Sequence, residues 1–149
     1  MKLDETNKAI IKELSNGRKA FSTIAEKIGI TENTVRSRVN KLVEDGVLQI
    51  SGLVNPQYIP EMQVVVMGVK LSTLDLEDKA KEMLRLKGVI SVMVVTGRYD
   101  LIVQVVTSSA DDQSLLNFFK NELSKVKGIS DVETFVVYQS HNYMIPYTL

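Results

Sequence analysis

The hydrophobic period of this chain changes once, and that change divides it. Up to about residue 50, apolar residues recur at spacings of three and four, as in helices with one buried face. Beyond Asn55-Pro56-Gln57-Tyr58-Ile59-Pro60, runs such as Gln63-Val64-Val65-Val66-Met67-Gly68-Val69-Lys70-Leu71 read as strands. That segment carries two of the three prolines, and proline interrupts helices and strand ladders alike. Residues 1–52 are therefore expected as one domain, 53–60 as a linker and 61–149 as a second domain. A hydrophobic fraction of 44% over 149 residues is enough to pack both.

Within the first part, Leu3 to Leu14 reads as a helix with Asp4 near its cap and Leu3, Ile10, Ile11 and Leu14 on one side. Asn16-Gly17-Arg18 stops it. Ser22 to Ile28 reads as a two-turn helix with a serine cap, ending at Gly29, where a tight turn can take the left-handed conformation. Thr31 then caps a longer helix in which Val35, Val39 and Leu42 form one stripe, closed by Gly46. With Ala25 small enough for close packing, this is a helix-turn-helix pattern. Val47-Leu48-Gln49-Ile50 and Gly52-Leu53-Val54 are expected as the two strands of a β-wing, which makes the domain a winged helix-turn-helix.

The far side of the Thr31–Gly46 helix carries Thr31, Asn33, Thr34, Arg36, Ser37 and Asn40, flanked by Arg38 and Lys41. Amides, hydroxyls and guanidinium groups read base edges, while Lys and Arg neutralise phosphates, so the mixture suits the major groove of double-stranded DNA. Asn33, Thr34, Ser37 and Asn40 are the expected base contacts; Arg36, Arg38 and Lys41 are the expected phosphate anchors. Arg38 is also placed to brace the helix against the fold or Glu44. Taken alone, the helix could equally be a solvated surface element. Net charge is zero over the chain, yet from Lys27 to Lys41 four cations meet one acid, Glu32.

In the second part, strands are expected at Gln63–Leu71, Val89–Thr96, Asp100–Thr107 and Ile129–Tyr138. Helices are expected at Asp75–Lys87, burying Leu76, Ala80, Met83 and Leu84, and at Asp111–Lys127, burying Leu115, Leu116, Phe119 and Leu123. The order is βαββαβ. Lys87-Gly88-Val89-Ile90-Ser91-Val92 returns as Lys127-Gly128-Ile129-Ser130-Asp131-Val132, each time where a helix hands over to a strand. The whole is α+β, the second domain a ferredoxin-like pair of βαβ halves. Its helices lie on one face, but its strands are apolar on both sides of the pleat, so something must cover the open face. A second copy is the simplest cover, and a two-fold homodimer also supplies the two helices that a palindromic site needs.

Other functions find little support. There is no cysteine and one histidine, His141, read as a surface or interface residue, so no metal site or cofactor is expected. No apolar run approaches the roughly 20 residues of a membrane span, and residues 1–5 show no signal-peptide core, so a cytoplasmic location is expected. An enzyme would need a nucleophile-base pair, a metal-ligand cluster or a phosphate-cradling glycine loop. Arg98 and Asn117 as anion binder and water positioner are a poor substitute, and the chain is not expected to be an enzyme.

The helix-turn-helix with Val35-Arg36-Ser37-Arg38-Val39 and Leu42 to Leu48, followed by a βαββαβ domain with Thr96-Gly97-Arg98-Tyr99-Asp100-Leu101, resembles the leucine-responsive/asparagine-synthase regulator (Lrp/AsnC) family of transcription factors. The resemblance covers essentially the whole chain. It implies a ligand-binding and oligomerisation (RAM, ACT-like) second domain, dimers that often assemble to octamers, and a small-molecule effector, usually an amino acid, held where neighbouring dimers meet. On that footing Asp100 would bind the effector's α-amino group while backbone N–H groups around Gly97 to Tyr99 receive its carboxylate. The structural alternative is that Asp100 satisfies turn amides. Thr96 and Arg98 belong to the same turn, and Thr134, Val136 and Gln139 would complete the pocket from a neighbouring subunit. Arg98 departs from the acidic or small residue expected there, which leaves the effector's side chain open. The chain is thus expected to be a DNA-binding regulator modulated by an amino acid; the alternative is an architectural DNA-binding protein without an effector.

Overall fold

The computed structural model describes residues 3–109 and 114–148. It divides into two compact units, Met1–Ser51 and Gly52–Leu149.

The first unit is three helices, α1 (Glu5–Glu13), α2 (Phe21–Ile28) and α3 (Glu32–Glu44). Two of the three start on side-chain caps. Asp4 accepts a hydrogen bond from the Asn7 backbone N–H at 2.7 Å, and Thr31 accepts one from Thr34 at 3.2 Å. The expected serine cap on α2 is absent: the helix begins one residue earlier, with Ala20 as an N-cap that makes no side-chain bond and Ser22 inside the first turn. Gly29 closes α2 at φ +73°, which lets the chain reverse into α3 within three residues. Ile10, Ile24, Ala25, Val35 and Val39 form the shared core, with Leu14, Phe21, Ile28, Ile30 and Leu48 against it. Each fully buried aliphatic contributes on the order of 1.5–3 kcal/mol, so this small cluster fixes the angle at which α3 is presented.

The expected wing does not form. Residues 47–50 pair with no strand, and Leu53–Val54 (β1) instead pairs antiparallel with Ile145–Pro146 (β2) near the chain's other end. The residues expected as a linker are thereby part of the second unit: Pro56 is buried, and Val54 and Ile59 pack on its sheet. Hairpin periodicity could not reveal this, because the partner of Leu53–Val54 lies about ninety residues away.

That sheet has strands β3 (Met62–Leu71), β4 (Val89–Val94), β5 (Leu101–Ser108) and β6 (Ile129–Val136), all antiparallel, in the order β4-β5-β3-β6. With α4 (Leu76–Leu84) after β3 and a helix after β5, this is the ferredoxin-like βαββαβ topology. The glycines of the internal repeat, Gly88 and Gly128, take matching positive φ values of +89° and +83°. In each case the left-handed glycine stands immediately before the strand and turns the chain into the sheet.

Val65, Met67 and Val69 of β3 and Leu101, Val103 and Val105 of β5 face the helices and make the core with Met83, Leu86 and Phe118. Two inward residues expected from helical spacing are displaced. Leu84 is 54% exposed while Leu86 is buried, because α4 ends at Leu84 and the chain turns. Leu116 is 62% exposed while Phe118 is buried. The second helix is α-helical only over Leu115–Asn117, then π-helical over Phe118–Glu122 and 3-10 over Leu123–Lys125. Leu123 N–H donates to Phe118 C=O, an i→i+5 bond that widens the turn and rotates the buried face. The expected start of this helix at Asp111 lies outside the described residues.

The other face of the sheet is not wholly open. Ile145 is buried against Met62, Val64 and Val106, with Tyr143, Val54 and Ile59 around it, so the chain covers one end with its own segments. Toward the other end, Met93 and Phe135 remain 43% and 49% exposed.

Candidate functional site

On α3, helical spacing places Asn33, Ser37 and Asn40 on one strip, and all three are exposed. Among the described residues, none engages their side chains. Thr31 and Thr34, at the start of the strip, are also exposed and share a hydroxyl–hydroxyl bond of 2.8 Å. The cations are different, since each already has a carboxylate. Arg36 Nη2 donates to Glu32 Oε1 at 2.6 Å and its guanidinium lies 5.4 Å from the centre of the Phe21 ring. Lys41 Nζ donates to Asp45 Oδ1 at 2.7 Å, which raises the lysine's pKa.

Arg38 differs from the other two expected phosphate anchors. Its Nη1 donates to Asp4 Oδ2 at 2.7 Å and Asn7 Oδ1 at 2.9 Å, so it ties α3 to the start of α1. The Arg38 bond, with the Asn7 amide behind it, holds the Asp4 carboxyl below its ordinary pKa. Arg38 therefore braces the fold, the alternative its position allowed. At the end of α1, Glu13 receives Lys19 Nζ at 2.5 Å and Lys27 Nζ at 2.7 Å, and its pKa falls from 4.5 to about 2 for that reason.

In the second unit, the turn from Thr96 to Asp100 joins β4 to β5. Thr96, Gly97 and Arg98 are exposed and Tyr99 and Asp100 half-buried. Asp100 is committed on both oxygens: Oδ1 accepts from Lys70 Nζ at 2.9 Å and Oδ2 from the Leu71 backbone N–H at 2.8 Å. The Leu71 amide first, and Lys70 second, lower its pKa. It satisfies an amide of β3 rather than amides of its own turn, so its bonding is structural but not of the form the sequence suggested.

Strand register decides what joins the turn. Directly opposed residues point to the same side, and Thr134 opposes Met67 while Val136 opposes Val65, both on the helix-covered face. Gly68 and its partner Glu133 point the other way. The Tyr99 ring lies over Gly68 so closely that an added Cβ there would fall 2.6 Å from Cδ2. The Arg98 guanidinium is 5.4 Å from the Tyr99 ring centre, and its Nη2 is 3.5 Å from Glu133 Oε2. Gln139 lines a separate cleft with Met62 and Val64, at least four residues along β3 from Gly68, or about 13 Å. Within one protomer, then, Thr134, Val136 and Gln139 do not converge with Tyr99, whereas Glu133 does. Glu133 was missed because one residue of register exchanges the two faces of a strand, and no local signal in Ile129–Val136 states that register.

Residues 3–43 match the family model of the AsnC-type helix-turn-helix domain, and residues 64–145 match that of the Lrp/AsnC ligand binding domain. The chain belongs to the Lrp/AsnC family. An uncharacterized HTH-type transcriptional regulator of Pyrococcus horikoshii is 32% identical over 139 residues, covering 92% of this chain and 87% of the relative. Among solved structures, that of PH0061 is similar at a TM-score of 0.78 and 20% identity, covering 97% of this chain and 99% of that one. A transcriptional regulator of Neisseria meningitidis solved with L-Met is similar at 0.67 and 20%, covering 99% and 96%. As a member of the Lrp/AsnC family the protein is a DNA-binding transcription regulator with a ligand-binding domain, and its relatives are regulators rather than enzymes. In this Lrp/AsnC chain no helix among the described residues is long and apolar enough to cross a membrane, and no group of three or more acidic, histidine or cysteine residues there could hold a metal.

Proposed function

We propose that α3 enters the major groove, with Asn33, Thr34, Ser37 and Asn40 at base edges, Thr31 at its leading end, Arg36 meeting DNA through the guanidinium N–H groups that its Glu32 pair leaves free, and Lys41 exchanging its carboxylate for a phosphate. The exposed, unengaged strip of Asn33, Ser37 and Asn40 carries this reading. The Lys41 side chain is 63% exposed, and ion pairs at the surface contribute about 0–1 kcal/mol, so Lys41 exchanges its partner at small cost. Arg36→Ala is expected to weaken operator binding by about 1–3 kcal/mol if Arg36 meets a guanine. Fluorescence anisotropy at fixed salt measures it, and unchanged affinity removes Arg36 from the interface.

The effector is proposed to be an amino acid whose carboxylate meets the backbone N–H groups of Thr96 to Tyr99. The family resemblance assigns its ammonium group to Asp100, but Asp100 is saturated by Lys70 and Leu71. Glu133, whose Oε2 is shielded from water and has the Arg98 guanidinium at 3.5 Å but no hydrogen bond, is the less committed anion. Thr134, Val136 and Gln139 can contribute only from another protomer. A similar regulator solved with L-Met supports the ligand class. A second copy of the chain is proposed to cover the strip of Val66, Met93, Ile102 and Phe135, giving a dimer that assembles toward an octamer. The saturation of Asp100 also favours a second reading, an architectural DNA-binding protein without an effector. Thermal shift against the twenty amino acids separates the two. An effector at 100 times its Kd adds about 2.7 kcal/mol to stability, and no shift with any of them selects the architectural reading.

A further inference from the structure

Arg36 is held differently from its neighbouring cations. Arg38 is turned back onto α1, and Lys41 is a flexible chain with one partner, Asp45. The Arg36 guanidinium stays on the exposed side and is fixed twice, by Glu32 one turn earlier on α3 and by the Phe21 ring at the start of α2. The ion pair uses one Nη2 proton, while the ring limits the plane in which the guanidinium can lie. The Nη1 protons and the second Nη2 proton remain. Reading guanine requires two coplanar N–H groups offered together to O6 and N7, whereas a phosphate accepts a cation from many directions.

We propose that Glu32 and Phe21 are positioning residues that set the base discrimination of this regulator, by holding Arg36 in an orientation fit for a base edge and away from the nearest phosphate. This rests on the reading that α3 docks in the groove. Glu32 has a second effect of the same sign: a carboxylate on the approach face repels the DNA backbone whatever its sequence. It lowers general affinity and leaves the specific contact to make the difference.

The test uses the full chain, a duplex selected by the wild-type protein from a random pool, and a scrambled duplex of equal length, with binding followed over a salt series. Glu32→Gln is expected to tighten binding to the scrambled duplex and reduce the selected-to-scrambled ratio at least fivefold. Its salt slope should steepen by about 0.9, the value of one more phosphate contact, as the freed guanidinium finds the backbone. A residue that merely stabilised the helix would not move that slope. Phe21→Leu keeps an apolar side chain in the core and changes no charge; it is expected to lower the ratio as well. If both variants keep the wild-type ratio and slope while Arg36→Ala loses the ratio, the positioning role is wrong and the docking of α3 stands. If Arg36→Ala also keeps the ratio, Arg36 reads no base and both fall.

Discussion

The two units hold their charged groups in opposite ways. On α3 the exposed cation Arg36 is paired with Glu32 one turn earlier on the same helix, both side chains about half exposed, and Lys41 with Asp45 at the helix's C-cap, with no backbone group involved in either pair. At the turn of the second unit, Asp100 is tied to Lys70 and to the Leu71 amide, about thirty residues away in sequence, with its side chain only 20% exposed. Releasing Asp100 strands a backbone N–H in the sheet; releasing Arg36 strands nothing. One surface is arranged to change partners and the other to keep its shape. Under the proposed function a regulator uses both, because a DNA contact must be exchangeable while the ligand-binding domain must stay defined.

Core changes should break this comparison most severely. All five tyrosines lie beyond residue 51, so tyrosine fluorescence reports the second unit alone, and helical ellipticity reports largely on α1 to α3. Ile24→Ala empties a fully buried position under α3 and is expected to cost about 2–5 kcal/mol. In urea the ellipticity transition should move to lower concentration while the tyrosine transition stays. Were the two signals to shift together, the units would unfold as one, and opposite behaviours could not be assigned to them separately.

Gly68→Ala is the reciprocal change and a smaller one. The new methyl would meet Tyr99 Cγ at 2.7 Å, near the ring's attachment, so the whole side chain must leave the sheet and take Arg98 with it. Overpacking of this kind costs about 1–3 kcal/mol. The tyrosine transition should fall, ellipticity should hold, and any amino-acid-dependent thermal shift should be lost. An unaltered shift would show that Tyr99 does not line the effector site.

What the sequence made legible follows the same division. The caps at Asp4 and Thr31, the Val35-Val39-Leu42 stripe and the strip of Asn33, Ser37 and Asn40 all depend on residues within seven positions of one another. In the structure the two caps form, the stripe is buried and the strip is exposed. The repeat at Gly88 and Gly128 also showed where helices become strands. What local spacing could not state is what a distant partner decides: Arg38 bonds across 34 residues to Asp4, Leu53–Val54 pairs with Ile145–Pro146 instead of forming a wing, and register puts Glu133 on Tyr99's face of the sheet. The π-helical turn is an intermediate case. Leu115, Leu116 and Phe118 are all apolar, and only the i→i+5 bond selects Phe118 over Leu116 for the core.

One ion-pair cluster in the first unit is built like Asp100 rather than like Arg36, and acid exposes it. Glu13 is buried between Lys19 and Lys27, both outside its own helix, and its pKa drops from 4.5 to about 2. A carboxylate depressed in the folded state stabilises fully above its unfolded pKa and loses that contribution as pH falls through the folded value. The ellipticity midpoint in urea should therefore hold from neutral pH to about 4.5 and decline toward about 2. Asp4 is depressed by Arg38 and adds a loss of the same sign, so wild type alone cannot identify Glu13. Glu13→Gln is decisive: it should start lower at neutral pH and fall less across that window, its curve converging on the wild-type curve at the acid end. The pH dependence of this effect is confined to acid. A variant whose curve stays parallel to wild type throughout would mean that Glu13 is not held by its two lysines, and that every ion pair of the first unit is as exchangeable as that of Arg36.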